Sequence, residues 1–115
     1  TQKKFLVKKI NNYSFSEKYL STIKSGMVDC VEYGSCRRLA DLPIQVAGKT
    51  GTAQWNKNKS NHAWFTSFAP ADNPEIVVTI LVEEGGEGSS IAAPIAHEFY
   101  KWWWGYKSKP KTPKL

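Results

Sequence analysis

From Phe15 onward, apolar residues return at every fourth position: Phe15, Tyr19, Ile23, Met27 and Val31, joined by Leu20 and Val28. This spacing predicts an amphipathic helix whose apolar stripe packs into a core. In front of it, Ser14-Phe15-Ser16-Glu17 fits a capping box, with Ser14 accepting from the third helical amide and Glu17 reaching back. Gly34 supplies a stop. Upstream, Phe5 to Ile10 is a short apolar stretch that suits a strand or lead-in.

Gly34 to Pro43 is a connector, and three strand candidates follow it. Gln45 to Trp55 is the first, rich in small residues. His62 to Ala69 is the second, with Trp64, Phe65 and Phe68. Glu75 to Glu83 is the third, and its Ile-Val-Val-Thr-Ile-Leu-Val centre reads as buried on both faces. The links are short: a polar hairpin from Asn56 to Asn61, and a turn at Pro70-Ala71-Asp72-Asn73-Pro74. Short links imply antiparallel neighbours.

After the glycine-rich stretch Glu84 to Gly88, Ser89 or Ser90 caps a last helix. Pro94 is tolerated there because it lies near the first turn. Ile91, Ile95, Phe99, Trp102 and Trp103 form the predicted apolar face, His97 and Glu98 the solvated one, and Gly105 the end. The run Trp102-Trp103-Trp104 cannot all face a core, so at least one ring is expected at an interface or exposed near a membrane or wall surface. The fold class is therefore α+β: helix, three-stranded antiparallel sheet, C-terminal helix, with helices covering a sheet face. Residues 1–106 form one unit, and 107–115 form a basic disordered tail.

At 115 residues the chain suits one domain at most, and it buries only roughly 65% of its unfolded surface. Fifteen aromatics exclude a disordered chain. The net charge of +6 is concentrated at the ends, in Lys3, Lys4, Lys8 and Lys9 and in Lys107, Lys109, Lys111 and Lys114. Without those lysines, eight basic residues face ten acidic ones. That distribution argues against a nucleic-acid partner, which favours a basic face on folded elements. The ends read as solvated tails with weak attraction for anionic lipid or wall polymer. The longest apolar run, Ile76 to Val82, falls far short of the ~20 residues of a bilayer span. The chain opens at Thr1 without Met, and an upstream portion is expected.

Cys30 and Cys36 lack C-x-x-C spacing, and His62 and His97 are too scattered to complete a metal site, so no metal or cofactor is expected. A local disulfide suits an oxidising compartment; the favoured reading is two unpaired, partly buried thiols. His62 is read as a strand-end residue with a backbone partner.

The chemistry lies in Val46-Ala47-Gly48-Lys49-Thr50-Gly51-Thr52-Ala53-Gln54. Gly48-Lys49-Thr50 resembles the end of a phosphate loop, but Pro43 stands where that motif needs its first glycine, and no helix follows. On a strand, period two puts Thr50, Thr52 and Gln54 on one face and Lys49 and Gly51 on the other. Two hydroxyls can bind a carboxylate. A free Thr52 amide on an edge strand can donate to a developing oxyanion, Lys49 adds positive potential, and Gly51 permits close approach. These parts suit acyl transfer with an anionic substrate. Taken alone, the tripeptide reads equally well as an exposed edge strand with a lysine.

Lys49-Thr50-Gly51-Thr52-Ala53-Gln54 resembles the third active-site motif of penicillin-binding proteins and serine β-lactamases. His62-Ala63-Trp64-Phe65-Thr66-Ser67-Phe68-Ala69-Pro70-Ala71 resembles the following strand of that family. Ser89-Ser90-Ile91-Ala92-Ala93-Pro94-Ile95-Ala96 resembles the start of its last helix. Gly26-Met27, Val31 and Gly34 match the helix before the motif. The resemblance covers residues 5–104 and is closest to class B, elongation-type peptidoglycan D,D-transpeptidases.

It implies the C-terminal part of a penicillin-binding-protein/β-lactamase-like transpeptidase domain, acting by serine acyl transfer on D-Ala-D-Ala stem peptides and acylated by β-lactam antibiotics. It implies that Lys49 polarises the site, that Thr50, Gly51 and Thr52 bind the substrate or drug carboxylate, and that the Thr52 amide is half of the oxyanion hole. The partners implied are the peptidoglycan stem peptide, the missing N-terminal part of the domain, and a membrane glycosyltransferase of the elongation machinery. The implied location is the periplasmic face of the inner membrane. A non-catalytic β-lactam sensor or wall-binding module on the same scaffold is the alternative.

The chain departs from the family pattern in lacking Ser-x-Asn. Two Ser-x-x-Lys matches occur, Ser21-Thr22-Ile23-Lys24 mid-helix and Ser108-Lys109-Pro110-Lys111 in the tail. Both are read as accidental, since a nucleophile must reach its base and the oxyanion donors. No nucleophile is assigned, and the chain alone is expected to be inactive. Cys36 stands where relatives usually have a small residue.

Overall fold

A computed structural model describes residues 8–109. The order is α1 (Glu17–Glu32), a 3-10 turn (Arg37–Leu39), β1 (Ala47–Ala53), β2 (His62–Ala69), β3 (Ile76–Val82), a π turn (Gly88–Ala92) and α2 (Ala93–Lys107). The three strands pair in sequence order, both pairs antiparallel. The predicted α+β arrangement is the one observed. The proposed lead-in strand falls partly on residues 1–7, outside the described residues, and 8–10 carry no regular structure. Of the predicted tail, 110–115 lie outside the described residues, while Lys107 is helical and bonds to Glu75.

The sheet has one covered face and one open face. Cross-strand register puts Gly48, Thr50 and Thr52 beside Ser67, Phe65 and Ala63, and these beside Val78, Ile80 and Val82. On that side Ala63, Phe65, Ser67 and Ala69 are all buried. The opposite side carries Lys49, Trp64, Thr66, Val77, Thr79 and Leu81, all exposed. The third strand is therefore not buried on both faces, as its composition suggested. Helices cover only one side, so Val77 is 71% exposed.

The core joins Val31, Leu39, Ile44 and Val46 to Phe65 and to Ala92, Ala93, Ala96 and Tyr100. Full burial of a side chain the size of Leu39 or Phe65 contributes about 1.5–3 kcal/mol.

Three expectations for the helices need correction. First, α1 begins at Glu17 with extended Ser16 as its N-cap and no side-chain cap bond, so the Ser14–Glu17 box does not form. The Ser16 carbonyl instead accepts from the Tyr19 and Leu20 amides. Glu17, as first helical residue, favours the positive end of the helix dipole. Second, only the C-terminal part of the apolar stripe packs: Val31 is buried, whereas Phe15, Tyr19 and Ile23 are exposed. Third, α2 is rotated by one residue from the predicted face. Ala92, Ala93, Ala96, His97 and Tyr100 point inward, while Ile95 and Trp102 are exposed. Ile95, Phe99 and Trp102 do share one face of α2, but the close approach to the sheet is made by the small residues Ala92, Ala93 and Ala96 together with Tyr100, which apolar bulk alone does not pick out. The Ser90 hydroxyl donates to the Glu87 carbonyl instead of capping. Gly105 does not end α2; it faces open space, and Tyr106 beyond it stacks on Trp102.

The cysteines also differ from expectation. Cys30 and Cys36 are joined in a disulfide. Gly34 lets the chain fold back, its amide donating to the Cys30 carbonyl, and the Cys36 amide reaches the same carbonyl. That turn brings the two Cα atoms to 5.1 Å, within bridging range.

Candidate active site

The site is built from the strand upward. Ile44 and Val46 bury themselves against the core and fix the entry of β1, and Ala47 and Gly48 remain buried. Gly48 has no Cβ because the Phe65 ring occupies that space: an added Cβ would lie 2.8 Å from Phe65 Cζ. The strand then emerges. Lys49 and Thr52 are exposed, and Thr50 and Gly51 are half-buried. Since β1 is the first strand of the sheet, its second edge has no strand partner among the described residues.

Lys49, on the open face, donates from Nζ to the Thr50 carbonyl at 2.7 Å. It forms no ion pair among the described residues, so its charge is left uncompensated. In an antiparallel strand a residue's N–H and C=O point to the same side, and that side alternates. The Thr52 amide therefore points the same way as the Thr50 carbonyl that Lys49 caps.

Gly51 and Gly88 explain how the π turn reaches the strand. A Cβ on Gly88 would lie 2.2 Å from the Trp64 carbonyl oxygen and 2.6 Å from that of Gly51. Only glycine fits there, because the neighbours are backbone. In the sequence Gly88 is one of several glycines in the stretch Glu84 to Gly88, and only the approach of this turn to β1 and β2 distinguishes it.

Ser35, which no motif singled out, lies with its Oγ 2.7 Å from Thr50 Oγ1. It sits inside the disulfide-closed loop, and Cys30 Sγ is 3.5 Å from the same Oγ. Thr50 is thus engaged by a neighbour, while Thr52 stands free to solvent.

The hairpin beyond β1 is braced by aromatic and ionic contacts. Trp55 stacks on His62 with centroids 5.2 Å apart, and its Nε1 donates to the Ser60 carbonyl. Lys59 lies over the Trp55 ring and pairs with Glu84 at 2.8 Å. His62 Nδ1 accepts from the Glu84 amide at 3.0 Å, the strand-end role read for it.

His97 is not solvated, contrary to expectation. It is 8% exposed, with Nε2 at 2.9 Å from Asp41 and Nδ1 at 3.1 Å from Glu98. The one-residue rotation of α2 carries it inward. The hydrogen bond to His97 holds the Asp41 carboxyl below its ordinary range.

The structure brings Lys49, Thr50, Gly51 and Thr52 together on one margin. It places the two Ser-x-x-Lys matches elsewhere. Lys24 donates to the Asp72 carbonyl, in the turn at the other end of the sheet from Thr52, and Ser108 is the C-cap of α2. Among the described residues no group of His, Cys, Asp or Glu is arranged to hold a metal ion. No described helix is long and apolar enough to cross a membrane.

Comparison with known proteins bears on this arrangement. Residues 2–101 match the family "Penicillin binding protein transpeptidase domain". Peptidoglycan D,D-transpeptidase MrdA of Haemophilus influenzae is 44% identical, over 65% of this chain and 14% of that protein. MrdA of Acinetobacter baumannii is 32% identical, over 80% of this chain and 16% of that protein. Among solved structures, Pseudomonas aeruginosa PBP2 in complex with WCK 5153 superposes with a TM-score of 0.63 at 40% identity, covering 70% of this chain and 18% of that one. Helicobacter pylori PBP2 gives 0.73 at 30% identity, covering 85% and 18%. The chain thus spans under a fifth of the length of each of these four proteins. With a family match over most of its residues and the Lys-Thr-Gly strand on the sheet margin, this chain belongs to the class B penicillin-binding-protein transpeptidase family.

Proposed function

We propose that this chain supplies the Lys-Thr-Gly side of the active site of a peptidoglycan D,D-transpeptidase. The observation that carries the reading is the placement of Lys49 to Thr52 on a strand whose outer edge has no strand partner among the described residues, with the Lys49 ammonium on the Thr50 carbonyl at that edge and no ion pair there. In this reading a serine from the rest of the domain attacks the D-Ala-D-Ala carbonyl. The Thr52 amide donates to the oxyanion as the tetrahedral intermediate forms. Thr50 and Thr52 bind the terminal carboxylate, Gly51 lets the substrate lie close, and Lys49 lowers the cost of gathering negative charge. The acyl-enzyme then passes to an amine of a neighbouring stem peptide, or is trapped when the donor is a β-lactam.

The whole protein is placed, by the same proposal, on the periplasmic face of the inner membrane, working in cell elongation and cell shape with a membrane glycosyltransferase. Support comes from the likeness to MrdA proteins and to Helicobacter pylori PBP2, which was also solved in complex with MreC.

Fluorescent-penicillin labelling tests the assignment. The parent protein takes the label on a serine outside this chain, and the isolated chain takes none. Labelling at Ser21 would sink it.

A further inference from the structure

We propose that Ser35 is a positioning residue for Thr50, and that the Cys30–Cys36 disulfide holds Ser35 in place for that task. The inference rests on the reading of Thr50 as a binder of the substrate carboxylate.

The role of Thr50 depends on where one proton goes. A threonine hydroxyl has a single proton, and a carboxylate can only accept. Thr50 serves an anionic substrate only if that proton points outward, which requires its oxygen to accept from within. Ser35 Oγ is the group at hand, 2.7 Å away. Ser35 has one proton of its own and a second neighbour, Cys30 Sγ at 3.5 Å. A disulfide sulfur carries no proton and accepts weakly, so the Ser35 proton goes to the Thr50 oxygen. The chain of donors then runs Ser35 to Thr50 to ligand, each bond polarising the next.

Ser35 is exposed and has no burial of its own to hold it. Its place is set by the loop around it. Cys36 is fully buried, the Cys36 amide bonds to the Cys30 carbonyl, and the disulfide closes the loop covalently. Gly34 lies so close to Cys30 that an added Cβ would be 3.0 Å from its Cα. Reduction by a dithiol takes two electrons and two protons into two thiols, while the dithiol closes to its own disulfide. The loop is then free to move, and Ser35 moves with it.

The experiment uses the purified parent transpeptidase and compares acylation by benzylpenicillin with acylation by its methyl ester, which lacks the carboxylate. Ser35→Ala is expected to slow acylation by the acid about fivefold, with the ester and the melting temperature unchanged. Ser35→Thr restores the rate, and treatment with dithiothreitol or the double variant Cys30→Ser/Cys36→Ser reproduces the selective loss. Equal slowing of acid and ester, or no slowing of either, overturns the proposal. Thr50→Val separates the two readings. If it leaves the acid-to-ester ratio unchanged, the assignment of Thr50 fails. If it lowers the ratio and Ser35→Ala does not, the Ser35 proposal alone fails.

Discussion

Tyr100 Oη and Ser67 Oγ share a hydrogen bond of 3.0 Å in the buried seam between α2 and β2. Ser67 also donates toward the Val78 carbonyl at 3.3 Å, so it bridges helix and sheet. Burial raises the Tyr100 phenol above its ordinary pKa, and the bond with Ser67 opposes that rise. The two partners are not equivalent. Removing the serine hydroxyl strands a buried phenol, whereas removing the phenol leaves Ser67 its carbonyl. Ser67→Ala is expected to destabilise by about 1–3 kcal/mol, and Tyr100→Phe by about 0.5–1.5 kcal/mol. Urea unfolding of the two variants checks the order, and a larger loss in Tyr100→Phe contradicts the seam as described.

Gly88 lies against the backbone of Trp64 and Gly51, where no side chain can give way. Gly88→Ala must push the π turn off the sheet or bend β1. The expected cost is about 3 kcal/mol or more, beyond ordinary overpacking. Hydrogen exchange should show the Gly51 and Trp64 amides, which face each other across β1 and β2, losing protection together. Gly105→Ala, with nothing within 4 Å of the added Cβ, is the control and should be neutral to stabilising.

Among the described residues the Lys49 ammonium bonds to the neighbouring Thr50 carbonyl and has no ionic partner. Its replacement therefore has little to disturb in the fold. In the parent protein Lys49→Met should slow acylation by about 10²–10³-fold, the usual cost of losing an electrostatic stabiliser. The melting temperature should stay within about 1 °C, a shift of a few tenths of a kcal/mol at most. A large drop in melting temperature would mark Lys49 as structural.

The Asp41–His97 contact links the connector before β1 to α2, and its pH response has a definite sign. The Asp41 carboxyl is held below the ordinary aspartate value, first by the hydrogen bond with His97 and against some desolvation. A carboxyl with a lowered folded pKa contributes stability above its unfolded pKa and loses it as pH falls through the folded one. Thermal unfolding of Asp41→Asn should lie below wild type from about pH 4 upward and converge with it in stronger acid. Because Asp41 is largely exposed, the gap should be small. A gap that widens below that pH contradicts the assignment.

Much of the fold was legible because it depends on period and punctuation. His62 to Ala69 was read with its observed bounds, since alternation and flanking turns define a half-buried strand. The Lys49–Thr52 margin was legible because the residues are contiguous and a strand separates them by face automatically. The face of α2 was not, because the packed side is made of small alanines with Tyr100 while the bulkier Ile95 and Trp102 stay outside. The disulfide was missed because C-x₅-C spacing leaves the pairing open until the turn at Gly34 is known. Ser35 and Thr50 are fifteen residues apart, and no pattern in either segment refers to the other.

What the sequence by itself determined is local: which segments are helix or strand, where they turn, and that Lys49, Thr50 and Thr52 share one short strand. Only the tertiary structure decided what depends on two segments meeting. It left one sheet face open, turned His97 inward to Asp41, and brought Ser35 against Thr50. Periodicity is a property of a single segment and survives any packing. A contact between segments depends on the helix phase and loop path that packing selects, and these are set by steric fit at positions such as Gly88, which a linear pattern does not contain.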